Sequence, residues 1–362
     1  MSSFAKLALL GAALAAVYQL APGDPAWMTE LKEPPSGSFE RVQFIGGDDT
    51  TILSGRLFLP PPPPNKEEEE GNAAPPPLIV MANGLGLTQD SNIGPFAQAF
   101  NNAGFAVVTF DYATFGYSGG WPRHQVKPER HVADLKALLR YLKRNASDLP
   151  IDIERVALWG TSMGGGHILT VAADVATTTD DVLPIKAVVG NVPHVKSALE
   201  SIFGTLLRDP STTLRGLVKV TGALVKWTLA QVLTGETTYI PLHGPPGSAA
   251  MMQNPGDDGG YGRLILKETR QSGWTNLASV GSVLPTLLYR PFNTVGRIQV
   301  PVLLVVAEND FLCPAAAAID AAANIKNARL FSMPDIGHFD VYDGNELRTA
   351  LEETVAFLKE HL

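Results

Sequence analysis

Six residues, Gly160-Thr161-Ser162-Met163-Gly164-Gly165, constrain the fold more than any other stretch. An apolar run, Val156-Ala157-Leu158-Trp159, precedes them and a helix-compatible stretch, His167 to Val175, follows. Strand, G-x-S-x-G, helix is the setting in which a serine rides a sharp turn with its hydroxyl exposed. Small residues two before and two after the serine permit that backbone. The following helix aims N–H groups and its positive end at an oxyanion formed beside the serine. So short a pattern also occurs in ordinary glycine-rich turns, and its meaning rests on its surroundings.

Those surroundings alternate. Phe39 to Ile45 and Thr51 to Leu59 read as two strands joined at Gly46-Gly47-Asp48-Asp49, a hairpin. Pro60 to Pro64, the acidic run Glu67 to Glu70 and Pro75 to Pro77 form a low-complexity loop that cannot join a sheet. Leu78 to Ala82 and Phe105 to Phe110 are short continuous apolar runs, typical of strands buried on both faces. Pro95 to Ala103 and Glu129 to Arg144 have helical character, the second with apolar residues at Val132, Leu135, Leu138, Leu139 and Leu142. After the elbow comes another apolar run, Ala187 to Val189. The alternation stops after Pro193 and resumes with a strand over Pro301 to Val306. A helix (Ala315 to Ile325), a strand (Arg329 to Ser332) and a last helix (Glu346 to His361) complete it. Strands alternating with helices imply a mostly parallel sheet with helices on both faces. The intervening 194–292, helical in places such as Leu214 to Leu233, is predicted to be an inserted cap. Residues 39–193 and 293–362 then form one α/β core, and 1–38 an apolar N-terminal segment.

Composition narrows the function classes. A formal charge of −8 argues against a nucleic-acid or anionic-membrane surface, since both need clustered Lys and Arg. Cys313 is the single cysteine, so no intrachain disulfide can form. No His or Cys cluster has metal-ligand spacing; neither metal nor cofactor is expected. Leu7 to Leu20 is apolar behind a single Lys6, and Ala13-Leu14-Ala15 resembles a cleavage site. The alternative is a helix packed on the domain or resting on a membrane. The run is shorter than the ~20 residues of a membrane span. Cytoplasmic or membrane-associated placement is favoured over secretion.

In an open parallel sheet, reactive groups gather at the carboxyl ends of the strands. Ser162, Asp310 and His338 fall at such ends, with the loop Asn83-Gly84-Leu85-Gly86. A hydroxyl needs a base within hydrogen-bond reach, and an imidazole needs a carboxylate to set its tautomer. His124, His131, His167, His194, His243 and His361 fall in helices, in loops away from strand ends or in the insertion, which leaves His338. Asp310, where the chain leaves the sheet, is preferred to Glu308, and Asp335 and Asp340 read as turn carboxylates. Cys313 reads as a buried small residue with no histidine of its own. The backbone N–H groups of Met163 and Leu85 are the predicted oxyanion donors. Trp227, Leu229, Tyr261, Trp274 and Phe292 either line an apolar pocket or hold the insertion together, the second being favoured.

The ordered motifs resemble those of α/β-hydrolases. Ala82-Asn83-Gly84-Leu85-Gly86, the segment Asp111 to Gly120 and Gly160 to Gly165 resemble the fungal dienelactone-hydrolase-like group of polyketide transferases and biosynthetic esterases. The resemblance implies acyl transfer from an apolar ester or thioester, a carrier-bound polyketide among the options, through an acyl-Ser162. Two departures stand out. Asn83 replaces the histidine of many relatives, and Tyr112 to Gly116 lacks the arginine of Asp-x-Arg-Gly versions, which predicts a more apolar neighbourhood. Hydrolysis and transfer share one intermediate and are not separated by sequence, and a non-catalytic binding protein on the same fold is the alternative from another class.

Overall fold

The computed structural model describes residues 39–61, 74–177 and 182–362. The apolar run 7–20 and most of the low-complexity loop lie outside the described residues.

Aliphatic runs form strands wherever both faces are covered. Eight strands make one sheet in the order β1-β2-β4-β3-β5-β6-β9-β10: β1 Glu40–Ile45, β2 Ile52–Phe58, β3 Pro77–Ala82, β4 Ala106–Phe110, β5 Asp152–Thr161, β6 Ala187–Asn191, β9 Val302–Ala307 and β10 Ala328–Met333. The hairpin β1–β2 is antiparallel, and β2 runs antiparallel to β4 with Gly55 opposite Phe110. From β4 to β10 all neighbours are parallel. Every residue of β4, β6 and β9 is buried, as their unbroken apolar runs require.

Helices α1 (Gly94–Asn102), α2 (Pro128–Arg144), α3 (Met163–Val175), α9 (Ala315–Asn324) and α10 (Gly344–His361) alternate with these strands. On α2, Val132, Leu135, Leu138, Leu139 and Leu142 are buried, a stripe at helical spacing. Pro128 opens that helix and Lys143 and Arg144 close it, matching the unpaired donors and acceptors of the two ends. α1 packs with α10, while α2, α3 and the β1 strand pack together.

β6 and β9 are neighbours in the sheet, yet residues 192–301 separate them in the chain. This stretch is an insertion, referred to below as the cap, and holds helices α4 (Ala198–Arg208), α5 (Pro210–Thr234), α6 (Asp257–Arg263), α7 (Lys267–Gln271) and α8 (Val283–Leu288), and a two-residue ribbon, β7 (Tyr239–Ile240) with β8 (Ala278–Ser279). The helix expected over Leu214 to Leu233 starts a turn earlier. The Asp209 side chain accepts from Thr212 N at its start, Pro210 fills the first turn, and Gly235 at φ 73° ends it. Trp227 packs with Ile240, Val280 and Val283 in a small core of the cap itself.

Candidate active site

β5 ends at Thr161 and α3 begins at Met163, so Ser162 is the whole turn. Its backbone lies at φ 53°, ψ −122°, a conformation costly for a residue with a side chain, by about 1–3 kcal/mol. Three hydrogen bonds hold it there: Ser162 N donates to Asn191 O (2.9 Å), and Ser162 O accepts from His194 N (2.8 Å) and Gly166 N (3.3 Å). The flanking glycines are dictated by space. A Cβ on Gly160 would lie 2.5 Å from Gly164 O, and one on Gly164 would lie 2.2 Å from Ala82 O.

Asp310 and His338 arrive from the loops after β9 and β10. His338 Nδ1 is 2.6 Å from Asp310 Oδ2, and His338 Nε2 is 3.1 Å from Ser162 Oγ. With a carboxylate as acceptor, Nδ1 carries the proton and Nε2 faces the hydroxyl. The other Asp310 oxygen accepts from Leu312 N (2.8 Å) and Cys313 N (2.7 Å), which fixes the carboxylate plane. Burial alone would lower the His338 pKa; the charge and hydrogen bond of Asp310 overcome this and hold it well above the usual histidine value. Of the competing carboxylates, Glu308 accepts from Ser332 Oγ (2.7 Å) on an exposed edge, and Asp340 accepts from Gly337 N (2.8 Å) within its own turn.

The loop after β3 passes beside the serine: a Cβ on Gly84 would be 3.3 Å from Ser162 Cβ. Leu87 N donates to Gly84 O (3.3 Å), which orients the peptide carrying Leu85 N–H the opposite way. Two cap side chains hold the next carbonyls. Tyr261 Oη donates to Leu85 O (2.7 Å) and Trp274 Nε1 to Gly86 O (3.0 Å). Met163 is the first residue of α3, where the N–H has no partner within the helix. Leu85, Ser162 and Met163 all face one cavity of about 320 Å³. Its apolar wall comes from cap residues Leu217, Val220, Met251, Met252, Val283 and Leu287. The aromatic residues weighed from sequence stand elsewhere, Tyr261 and Trp274 against the β3 loop and Trp227 in the cap core.

Two expectations need correction. Cys313 is buried, but it stands at the site: its Sγ is 4.0 Å from Ser162 Oγ, and it faces the imidazole of His338. Chain order concealed this, because 151 residues separate it from the serine. Burial pushes its thiol pKa up, which disfavours the thiolate. With Asp310 and His338 it is the three-donor group that proximity alone would offer a metal, among the described residues. The carboxylate and imidazole of that group already bond each other and Ser162. Second, the loop after β4 does receive an arginine, from further along the chain. Buried Arg123 donates to Ser118 O and Gly116 O, both at 2.5 Å. Asp111 closes the same loop by accepting from Gln89 N (2.8 Å), Gln89 Nε2 (3.1 Å) and Tyr117 N (3.0 Å), although burial pushes its carboxyl up to about 7. Asn83, in the place of the relatives' histidine, donates to Phe110 O (3.1 Å) and so ties β3 to β4.

A sharp serine turn with Asp310 and His338 at the strand ends of a doubly covered sheet defines an α/β-hydrolase. The model of the alpha/beta hydrolase fold family matches residues 77–345, and the chain belongs to that family. It is 32% identical over 282 residues to the quorum-quenching protein AidA of Acinetobacter baumannii, covering 78% of this chain and 86% of that protein. It is 24% identical to the polyketide transferase af380 of Aspergillus fumigatus, over 78% of this chain and 89% of that one. Among solved structures, DcsB in complex with its substrate analogue (TM-score 0.67, 20% identity, 90% of this chain and 99% of that chain) has the same fold. So does GrgF from Penicillium sp. sh18 (TM-score 0.66, 21% identity, 89% and 98%).

Proposed function

We propose that the chain is a serine acyl hydrolase or acyltransferase acting on an apolar ester or thioester. The observation that carries this reading is His338 bonded between Asp310 and Ser162, with Ser162 itself opening on a largely apolar cavity. Ser162 Oγ attacks the acyl carbon while its proton passes to His338 Nε2. Asp310 stabilises the resulting imidazolium, and the N–H groups of Met163 and Leu85 receive the oxyanion. His338 then returns the proton to the departing alkoxide or thiolate, leaving acyl-Ser162. Water, an alcohol or an amine, deprotonated by the same imidazole, attacks the acyl carbon and frees the serine. Residues 194–292 act as the cap that selects the acyl group. The names of the relatives, which include polyketide transferases and thiohydrolases, favour an acyl thioester or ester of polyketide type.

Intact-mass analysis after fluorophosphonate treatment tests the mechanism. One adduct on the wild type, absent from Ser162→Ala, is the expected result. A folded wild type that stays unlabelled would move the non-catalytic binding reading ahead. Product partition from an acyl thioester, with and without an alcohol or amine acceptor, then separates transfer from hydrolysis.

A further inference from the structure

The helices that wall the cavity turn their more apolar sides outward. On α4, Ala198, Ser201, Ile202 and Thr205 face the cavity, whereas Leu199, Phe203 and Leu207, spaced four apart, are exposed. On α5, Leu217 and Val220 reach the cavity, whereas Leu214, Val218, Val225, Leu229 and Val232 form an exposed stripe at helical spacing. Val218 and Val232 expose 70% and 67% of their surface. No residue of α4 is buried, and only Gly216 and Trp227 are buried on α5. Among the described residues, over half of the exposed large apolar side chains sit on this helix pair. An apolar face this extensive marks a surface that something covers.

Charge identifies what covers it. Arg215, Lys219 and Lys226 follow Leu214, Val218 and Val225 by one position, so a basic stripe runs along the apolar one. Lys219 also donates to Gly247 O (2.8 Å), and all three residues are exposed. Pro210 to Thr234 contains no Asp or Glu, in a chain whose net charge is −8. A second copy meeting α5 through its own α5 would set cation against cation; the acids of the helix pair are already engaged, Glu200 with Lys196 and Arg290 and Asp209 as the N-cap of α5. Leu7 to Leu20 offers no acid to answer them either. An apolar stripe beside Lys and Arg is the pattern of a helix lying in the headgroup region of an anionic bilayer.

We propose that the outer face of α4 and α5 docks on an anionic lipid surface, so that the walls of the acyl cavity rest on a membrane. This inference stands apart from the acyl-transfer reading, because its readout is binding.

Cosedimentation of the full-length protein with phosphatidylglycerol–phosphatidylcholine vesicles tests it. The wild type should bind these and leave pure phosphatidylcholine vesicles largely unbound, with binding weakened by salt. The triple variant Val218→Glu, Val225→Glu, Leu229→Glu should lose at least about 50-fold in partitioning, and Lys226→Glu about fivefold or more. Leu9→Glu with Leu14→Glu should leave binding intact. Thermal midpoints check that each variant is folded; should the triple variant unfold, Lys226→Glu and Arg215→Glu decide. Four results overturn the proposal: no vesicle binding by the wild type, binding indifferent to lipid charge, binding unmoved by the α5 changes, or binding abolished by the 9/14 pair. Sedimentation velocity adds a fifth, a wild-type dimer that the α5 changes split and that ignores vesicles, which assigns the face to a second copy.

Discussion

β9 and α4 are opposite in burial. All six residues of β9 are buried, and none of the eleven of α4 is. The strand ends where Asp310 leaves the sheet, and the helix forms part of the wall the acyl group would touch. Position in the sheet is therefore enforced by packing on both faces, so the groups at its edge inherit a fixed geometry. Of the cap helices, α4 buries no residue and α5 only Gly216 and Trp227, so substitutions on their exposed sides should cost little stability. In the proposed reading the core supplies the chemistry and the cap the fit.

The sharpest way to break this division is at the strand end. Asp310→Asn should leave the fold intact and lower kcat by about 10⁴-fold, because the imidazole loses its tautomer and its counter-charge. The sign of the pH effect is fixed. Asp310 holds the His338 pKa up and burial pulls it down, so the amide variant should move the acid limb of kcat/KM to lower pH. In the wild type that limb should lie above the ordinary histidine range. A profile that does not move would detach Asp310 from the base.

Packing gives the next largest contrast. Leu304→Ala, in β9, should cost about 2–5 kcal/mol in urea unfolding, whereas Leu207→Ala, on the exposed side of α4, should stay within about 0.5 kcal/mol. Equal costs would mean that the cap face is covered in solution.

A third contrast concerns acid. Burial lowers His131 to about 3 and His124 to about 4. Below the unfolded histidine value near 6.5, the unfolded chain binds protons these native imidazoles refuse, so stability falls with pH. Burial also raises Asp257 and Asp111 to about 7 and Asp134 to about 6. Those native carboxyls take up protons that the unfolded chain does not bind until pH approaches 3.8, which stabilises the fold over the same window. The two groups oppose each other from about pH 6.5 to 4, and the histidine loss continues alone below it. His131→Phe should flatten the acid limb of stability by up to about 1.4 kcal/mol per pH unit between 6.5 and 3. Unchanged slope would show that His131 titrates freely.

The smallest and most local test is Tyr261→Phe. Losing the bond to Leu85 O should cost about 1 kcal/mol and lower kcat more than it raises KM. A pure KM effect would place Tyr261 in substrate binding instead.

Much of this molecule is legible in its sequence, and the reason is locality. Continuous apolar runs announced β3, β4, β6 and β9 because burial on both faces admits little else. The elbow announced itself because only glycine fits at 160 and 164. Ser162, Asp310 and His338, chosen by their place at strand ends, stand within hydrogen-bond reach of one another. What sequence did not reveal depends on pairs far apart in the chain. Tyr261 lies 176 residues from Leu85, and Trp274 lies 188 from Gly86. Neither has a motif, since a buried hydroxyl or indole N–H can bond any carbonyl. Cys313 beside Ser162 was hidden for the same reason. α4 was not singled out because a helix with no buried residue leaves no inward stripe to read.

The bonds from Tyr261 and Trp274 to the β3 loop bear on how such a protein can be re-engineered. A cap is an attractive part to exchange, since it walls the cavity and contributes no strand to the main sheet. Here two of its side chains also grip the carbonyls that follow the proposed oxyanion donor. A transplanted cap lacking equivalents would accept a new acyl group and process it slowly, having brought the pocket and left the clamp behind.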